Sequence, residues 1–334
     1  VTLTGTSDGN TTNGILFGDG TSYVNLSVQS GNLTINGTTS AANALYAVST
    51  SGSALNINVA SGSNLNINGD SNLNKSIRLN GTVNIAGAGN LNITGNSTTG
   101  NGIEANSTTF NILGGSNIAI QSNSSISWSS ANVSKTAGGD ANLSIIANSA
   151  IVLANSTIQS NSSALNVNLA AAQNTTGALS FTNTTINTNN GNLTTSSNTT
   201  GTGTTALTFA GNNSFTIGSG NATLTANSSL TTTVTSIGGN LNLSTGAGST
   251  FTLNSNSSGS GLGINITGGT TINVTSGSAE LRGYSSDAGI QILGATTYNV
   301  ASGSTLLLNG TGWGTNTLNT GIRFGGSSYD FTGG

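Results

Sequence analysis

The stretch SALNINVASGSNLNING, residues 53–69, decides the fold of this chain. It contains two runs, LNINV and NLNIN, that alternate apolar with polar residues, and the small residues ASGS lie between them. Because successive side chains of a β-strand point to opposite faces, Leu55, Ile57 and Val59 share one face while Asn56 and Asn58 share the other. The stretch therefore predicts two short strands, apolar on one side and rich in Asn on the other, joined by a turn.

The same alternation recurs along the chain in groups of three short runs. GINITGGTTINVTSGSAEL at 263–281 aligns with GIQILGATTYNVASGSTLLL at 289–308, and the repeating unit has about 26–32 residues. This period is typical of a solenoid, a propeller or an array, and a propeller blade needs four strands in ~40–50 residues. We therefore predict an all-β fold. It is a right-handed parallel β-helix (β-solenoid) with about three short strands per turn and roughly a dozen turns, continuous over 1–334 and less regular over 120–200.

The composition argues against several classes of protein. The 334 residues include 51 Asn, 54 Thr, 50 Ser and 49 Gly, only 13 charged residues, and no Pro, Cys, Met or His. Asn, Thr, Ser and Gly are poor helix formers, while the regular spacing of the apolar residues, 34% of the chain, argues against disorder. A net charge of −3 without a basic cluster speaks against nucleic acid as a partner. Because the chain contains no Met at all, we expect it to be a fragment of a longer protein.

The stretch NLNITG at 90–95 shows how one strand of the repeat is expected to work. Leu91 and Ile93 should point into a stacked core, and the polar residues between them should face outward in rows. Asn side chains in such rows can hydrogen-bond to one another as ladders. Gly95 is expected to turn the corner at the end of the strand.

Two stretches carry a resemblance to a known family: SALNINVASGSNLNING at 53–69 and SGNLTINGTTS at 30–40. Such units resemble the passenger repeats of filamentous-haemagglutinin-like bacterial exoproteins, the two-partner-secretion adhesins that include the high-molecular-weight adhesins. The resemblance implies secretion or display on the bacterial cell surface, a fibre-like shape, and adhesion to host cells or other bacteria. It also implies an outer-membrane secretion partner and a cytoplasmic glycosyltransferase that adds hexoses to Asn-x-Ser/Thr sequons of the full-length chain.

The chain contains 26 such sequons, where its composition alone would give about 16. Alternation itself produces part of this excess, because a residue two positions after an outward Asn also faces outward and is polar. Sequons in turn-like contexts are therefore the stronger glycosylation candidates: Asn96, Asn106, Asn123, Asn155, Asn161, Asn174, Asn183, Asn198, Asn227 and Asn256. Sequons in strand contexts are the weaker ones: Asn25, Asn32, Asn92, Asn142, Asn192, Asn242, Asn265 and Asn273. Solvated turn Asn residues without sugar are the alternative interpretation.

Catalytic and metal-binding residues are not expected. Without His or Cys the chain cannot build a catalytic triad or the usual zinc site, and its acidic residues are scattered over different repeats. Asp70, Lys75 and Arg78 lie near one another in the sequence, and Glu280 and Arg282, two residues apart, share a strand face. Exposed ion pairs that contribute little to stability are the plainest interpretation of both groups. We predict no cofactor and no enzymatic activity.

The aromatic residues allow two interpretations. Trp128 and Trp313, with five Tyr residues, could stack on sugars, but the pattern favours filling or capping of the narrow core. Thr-rich stretches such as TLTANSSLTTTVT at 223–235 hint at ice binding, yet their Thr pairs do not recur at one fixed phase.

The predicted function is that of a stalk or adhesive rod in a large secreted or surface-displayed bacterial adhesin, N-glycosylated, mediating attachment to host cells or bacterial aggregation. The expected partner is a receptor on a host-cell or bacterial surface, a glycan among the candidates. The alternative is a structural fibre subunit that self-associates in an extracellular filament or matrix.

Overall fold

The computed structural model describes residues 1–8, 13–18, 23–40, 46–51, 54–72, 75–171, 177–200, 204–229, 232–314, 319–325 and 329–333. The chain divides into two compact units, Val1–Asn168 and Leu169–Gly334. Both have the same architecture, an all-β parallel β-solenoid, and together they contain about 10 turns. The described ranges contain no helix. The predicted fold class, a parallel β-solenoid, is confirmed.

The described residues of the first unit form sixteen short strands, and a seventeenth, β17 (Leu165–Ala171), contains the boundary between the units. The sixteen are β1 (Thr2–Ser7), β2 (Ile15–Phe17), β3 (Val24–Val28), β4 (Asn32–Thr39), β5 (Val48–Thr50), β6 (Leu55–Val59), β7 (Asn64–Ser71), β8 (Ile77–Gly87), β9 (Asn90–Ser97), β10 (Asn101–Ile112), β11 (Asn117–Ser122), β12 (Ser125–Ser129), β13 (Asn132–Lys135), β14 (Ala141–Ala147), β15 (Ile151–Ala154) and β16 (Thr157–Ser160).

The second unit continues the strand numbering. Its strands are β18 (Leu179–Thr182), β19 (Thr185–Asn187), β20 (Leu193–Thr199), β21 (Leu207–Gly218), β22 (Ala222–Ser228), β23 (Thr235–Thr245), β24 (Thr250–Ser257), β25 (Ile264–Ile266), β26 (Thr270–Ser276), β27 (Ser278–Ser285), β28 (Ala288–Leu293), β29 (Thr296–Val300), β30 (Thr305–Gly312), β31 (Thr320–Gly325) and β32 (Tyr329–Gly333).

One sheet in each unit is formed by every second or third strand of the chain, and in the first unit it includes β4, β7 and β9, which carry the patterns NLTI and NLNI. In the first unit its order is β1-β4-β7-β9-β11-β14, and in the second it is β20-β22-β24-β27-β30. All these pairings are parallel, and like residues lie opposite one another: Leu65 faces Leu91, and Ile67 faces Ile93. Register is fixed because a slip by one residue would expose every buried Leu and Ile of the strand.

The remaining strands form a second set of parallel pairings. In the first unit β5 and β6 both pair with β8, with Val48 opposite Ile77 and Leu55 opposite Val83. The longer strand β8 pairs in turn with two stretches of β10, and the register shifts between Ala105 and Thr108. We call one turn of the solenoid a coil. A long strand such as β8 continues through a corner of its coil, and its two ends pair with two separate short strands, β5 and β6, of the preceding coil.

The core of each unit is a narrow stack of aliphatic side chains with a few aromatic rings. Leu91 and Ile93 are buried as predicted, at 0% and 2% exposure. Trp128 stacks on Phe110 with ring centroids 5.4 Å apart, and in the second unit Phe181 stacks on Phe209 at the same separation. Burial of these apolar residues against their neighbours one repeat away is what holds successive coils together, because the strands themselves are short.

The expectation that Gly95 turns a corner is wrong. Gly95 lies inside β9, is buried, and stands opposite Gly69 in the neighbouring strand. A Cβ atom at this position would collide with the backbone oxygen of Gly102 and with the side chain of Ile103. Glycine is required here because another backbone segment approaches the strand closely, and the strand continues to Ser97.

Candidate functional site: the outward Asn ladders and sequons

The most regular outward feature of the first unit is a row of hydrogen-bonded Asn side chains, which we call the long ladder. In each step the Nδ2 of one Asn donates to the Oδ1 of the Asn in the preceding coil, over 2.7–3.0 Å. Its members are Asn32, Asn64, Asn90, Asn117, Asn142 and Asn166. The predicted Asn ladders are therefore confirmed.

Shorter ladders occupy other outward rows. In the first unit Asn56 donates to Asn25, Asn84 to Asn56 and Asn111 to Asn84, at 2.7–2.8 Å. In the second unit one row contains Asn198, Asn227 and Asn256, and another contains Asn242, Asn273 and Asn299. An amide suits this position because it offers both a donor and an acceptor, so each side chain can bond in both directions along the stack.

The described sequon candidates all have solvent access. Of the stronger candidates, the exposed ones are Asn123, Asn155, Asn161, Asn183 and Asn256, and the half-buried ones are Asn96, Asn106, Asn198 and Asn227. Of the weaker candidates, the exposed ones are Asn25, Asn32, Asn142 and Asn192, and the half-buried ones are Asn92, Asn242, Asn265 and Asn273. Asn174 lies outside the described residues. Exposure therefore does not follow the division into turn and strand contexts.

Two of the turn sequons have a conformational explanation. Asn155 and Asn183 both have φ of 50°, in the left-handed region that Asn and Gly adopt most readily. Gly211, which precedes the Asn212 whose backbone N–H donates to the Oδ1 of Asn183, has φ of 65°. The corner thus requires a residue that tolerates this backbone, and Asn is chosen there whether or not it carries a sugar.

Other sequon side chains bond to the backbone. The Oδ1 of Asn123 accepts a hydrogen bond from the backbone N–H of Ser97 at 2.8 Å, and the Oδ1 of Asn192 accepts one from Asn221 at 2.9 Å. These contacts use the carbonyl oxygen, whereas a glycan is attached to Nδ2 and leaves one N–H on it. Such structural roles are therefore compatible with glycosylation.

Three stronger candidates lie directly above one another in the second unit. Asn198, Asn227 and Asn256 are in register on β20, β22 and β24, and Tyr284 of β27 follows Asn256 in the same row. The two residues after each Asn also line an open groove of about 540 Å³ that ends at Tyr284. The sequence signal for this groove is the spacing of 29 residues between the motifs NTT at 198, NSS at 227 and NSS at 256.

The ion pairs only partly follow the sequence grouping. Glu280 and Arg282 pair at 2.5 Å on one strand face, as expected, and the hydrogen bond from Arg282 lowers the pKa of Glu280. Lys75 pairs with Glu104 at 2.8 Å, which is one repeat further along the chain, and this hydrogen bond raises the pKa of Lys75. Arg78 lies over the ring of Tyr46, 5.4 Å from its centroid. In a solenoid the nearest neighbour of a side chain is often a full repeat away in sequence.

The aromatic residues divide into two groups. Trp128 and Tyr298 are buried in the core, as the sequence favoured, and burial raises the pKa of the Tyr298 hydroxyl. Tyr284 and Trp313 do not fill the core, because they are 45% and 47% exposed, and their rings stack on each other with centroids 6.0 Å apart. The apolar/polar alternation of the sequence does not reveal this pair, because Tyr284 and Trp313 lie on successive coils.

Groups of three or more His, Cys, Asp or Glu residues arranged to hold a metal ion are not found in the described part of the chain. No described segment forms an apolar helix of the length needed to cross a membrane. Comparison with protein-family models, with curated proteins and with solved structures found no match to this chain.

Proposed function

We propose that this chain is a stalk or adhesive rod of a large secreted or surface-displayed bacterial adhesin, N-glycosylated and without catalytic activity. The observation that carries the proposal is the combination of a repetitive parallel solenoid with outward ladders of uncharged Asn side chains. Repetition presents the same polar surface on successive coils, which suits a spacer that displays many equivalent positions. The residues quoted above for the haemagglutinin-like resemblance support the same proposal.

We further propose that the coil is right-handed with three short strands per turn. The consecutive strands β5 and β6 pair with the two ends of β8, and the next strand, β7, pairs with β9. These pairings support three strand positions per repeat. A right-handed course is supported by the general handedness of parallel β crossovers.

The proposed location is outside the cell or on its surface, and the proposed partner is a receptor on a host or bacterial cell. An outer-membrane secretion partner and a sequon-directed glycosyltransferase complete the proposal for the full-length chain. Sugars would add solubility to a surface that has only 13 charged residues in 334.

Adhesion is tested directly with purified protein coupled to fluorescent beads. Beads carrying the folded chain should attach to cultured epithelial cells or to bacteria, whereas beads carrying heat-denatured chain should not. Far-UV circular dichroism must show a β-rich spectrum for the folded sample. Equal attachment of both bead types, or of neither, would contradict the proposed function.

Glycosylation is tested by the intact mass of protein from its native source. Additions of about 162 Da, one hexose each, above the mass calculated for the unmodified polypeptide would support it. Peptide mapping should then find sugar at exposed sequons such as Asn155 and Asn161. An unmodified mass would remove glycosylation from the proposal.

The second candidate function is a self-associating subunit of an extracellular fibre. It is favoured by exposed apolar side chains within the solenoid, namely Leu16, Leu113 and Leu307 at 51%, 42% and 48%. Sedimentation of the unmodified chain distinguishes the two: a species near 32.7 kDa at all concentrations favours the stalk, and concentration-dependent multimers favour the fibre.

A further inference from the structure

We propose that Tyr284 and Trp313 form a binding platform for a neutral oligosaccharide on the outward face of the second unit. This inference rests on the proposed adhesive function, to which it adds a class of ligand and a location on the chain. It is carried by the exposure of two stacked rings, by the two grooves that Tyr284 lines, and by the other side chains that line those grooves.

The two rings are held in place by the fold. Tyr284 lies near the end of β27, opposite Asn256 of β24 and Thr311 of β30. Trp313 follows β30, and its backbone N–H donates to the carbonyl of Ser285 at 3.0 Å. The ring planes are inclined by 22°. Nearly half of each side chain remains in solvent even though the rings stack on each other.

Two open grooves meet at Tyr284. The first, of about 540 Å³, is lined by the three stacked sequon motifs that begin at Asn198, Asn227 and Asn256. The second, of about 390 Å³, includes Asn254, Arg282, Asn309 and Thr311. Asn256 and Tyr284 line both. A ligand lying across the tyrosine ring would therefore reach amide and hydroxyl groups on either side.

The lining favours an uncharged ligand. Of the described residues that line the two grooves, one is charged, Arg282. Its guanidinium is already paired with Glu280 at 2.5 Å. The other polar groups are amides and hydroxyls, which both donate and accept hydrogen bonds. Sugar hydroxyls have the same double character.

An oligosaccharide also matches the rings. One face of a pyranose presents C–H groups, which carry slight positive charge, and the face of an aromatic ring is electronegative. Binding sites of this type combine aromatic surface with a few placed polar groups. A peptide with apolar side chains would use the rings but would leave the surrounding amides and hydroxyls without matching partners.

The fluorescence of the two tryptophans gives a direct test. Trp128 is fully buried and Trp313 is 47% exposed, and they are the two tryptophans of the chain. In unglycosylated recombinant protein, acrylamide should quench Trp313 and leave Trp128 almost unaffected. Addition of neutral oligosaccharides, such as β-linked glucose, galactose or N-acetylglucosamine trimers, should shift the emission of Trp313 to the blue and protect it from acrylamide.

Binding is then measured on an array of neutral and sialylated oligosaccharides. Tyr284→Ala and Trp313→Ala should each weaken binding by ~10-fold or more, as expected for exposed aromatic anchors. Tyr284→Phe should retain most of it, and Tyr23→Ala, which removes a 70% exposed ring in the first unit, should leave it unchanged. Circular dichroism must show that all variants fold.

The outcomes separate this inference from the proposed function. If wild-type beads attach to cells but the array and fluorescence show no dependence on Tyr284 and Trp313, the platform is wrong and the adhesive function stands. If the platform binds sugar but beads do not attach to cells, the adhesive function is wrong and the site stands. Strongest binding to sialylated glycans, or binding to immobilised apolar peptides without any response to sugars, would overturn the assignment of a neutral oligosaccharide.

Discussion

At the scale of single residues, the same residue type serves different purposes in this chain. Asn bonds along ladders at Asn90, adopts a left-handed corner at Asn183, and accepts a backbone hydrogen bond at Asn123. Glycine likewise serves at turns with positive φ, as at Gly62, and at close contacts between backbones, as at Gly95. Composition alone does not distinguish these roles, because each depends on a neighbour one coil away.

Gly95→Ala should destabilise the protein. The added methyl group would collide with the backbone of Gly102, which cannot move without disturbing β10, so we expect a loss of about 1–3 kcal/mol in the free energy of unfolding. Urea denaturation followed by circular dichroism measures it. Gly139→Ala is the matched control, since nothing lies within 4 Å of a Cβ there, and it should change stability by less than about 0.5 kcal/mol. Equal effects would show that the close approach is not limiting.

Lys135 should make stability depend on pH. Its side chain is buried, and its Nζ donates to the carbonyl of Ala137 at 2.6 Å and that of Gly114 at 3.4 Å. Burial lowers its pKa from 10.5, against an opposing effect of Asp140. The unfolded chain therefore binds more protons between the lowered pKa and 10.5, and the free energy of unfolding should rise with pH towards 10.5.

The matched pair of variants is Lys135→Met and Lys75→Met. Urea titrations between pH 7 and 10 should show a rising stability for the wild type and a flat profile for Lys135→Met. Lys75→Met should keep the rise, because the raised pKa of Lys75 gives a contribution that is fully present below 10.5 and is lost only above it. The chain has no His or Cys, and the buried Tyr298, whose pKa is raised, lowers the free energy of unfolding only as the pH approaches 10 and above. A rise that persists in Lys135→Met would contradict the assignment.

At the scale of the strand and its neighbours, ladders couple successive coils in addition to the backbone pairing. The step from Asn64 through Asn90 to Asn117 joins β7, β9 and β11 with side-chain bonds of 2.7 and 3.0 Å. The apolar side chains of the same strands stack on the opposite face. Each strand is thus held to its neighbours on both of its faces, which compensates for its short length.

Position in the ladder should set the cost of removing an Asn. Asn90→Ala breaks two ladder bonds and should cost about 1–2 kcal/mol, at ~0.5–1 kcal/mol for each partly exposed bond. Asn32→Ala breaks one ladder bond and should cost about half as much. Denaturation of unglycosylated protein keeps sugar at the Asn32 sequon out of the comparison. If both variants lose the same free energy of unfolding, the contributions of the two ladder bonds of Asn90 are not additive.

At the scale of the whole molecule, stability should come almost entirely from apolar burial and hydrogen bonds. The chain has 13 charged residues, and the described ion pairs are Lys75–Glu104, Glu280–Arg282 and Arg323–Asp287. Surface pairs contribute little and are screened by salt. The urea midpoint should therefore be nearly the same at about 0.05 M KCl, where screening is weak, and at about 0.5 M KCl, where it is strong.

Lys75→Met provides the control for this comparison, because it removes the ion pair with the least exposed carboxylate, Glu104. Its midpoint should be as insensitive to salt as that of the wild type. A midpoint that falls steeply with salt in the wild type and not in the variant would show that this pair contributes more than the low charge content suggests.

The sequence by itself determined the fold class, the buried aliphatic residues of the strands and the presence of Asn ladders. These follow from the period of two within a strand and the repeat of about 26–32 residues, and both are local properties of the chain. Leu91 and Ile93 are buried as their alternation requires. The same pattern could not show that Gly95 lies within a strand, because the backbone that excludes a side chain there belongs to a later segment.

Only the tertiary structure decided which residues meet across coils. It paired Lys75 with Glu104, aligned the sequons at Asn198, Asn227 and Asn256, and stacked Tyr284 on Trp313. The physical reason is that contacts in a solenoid join residues about one repeat apart, and the repeat length varies from coil to coil. A shift of one or two residues in that length changes which outward side chains become neighbours, while the alternation that specifies the core remains the same.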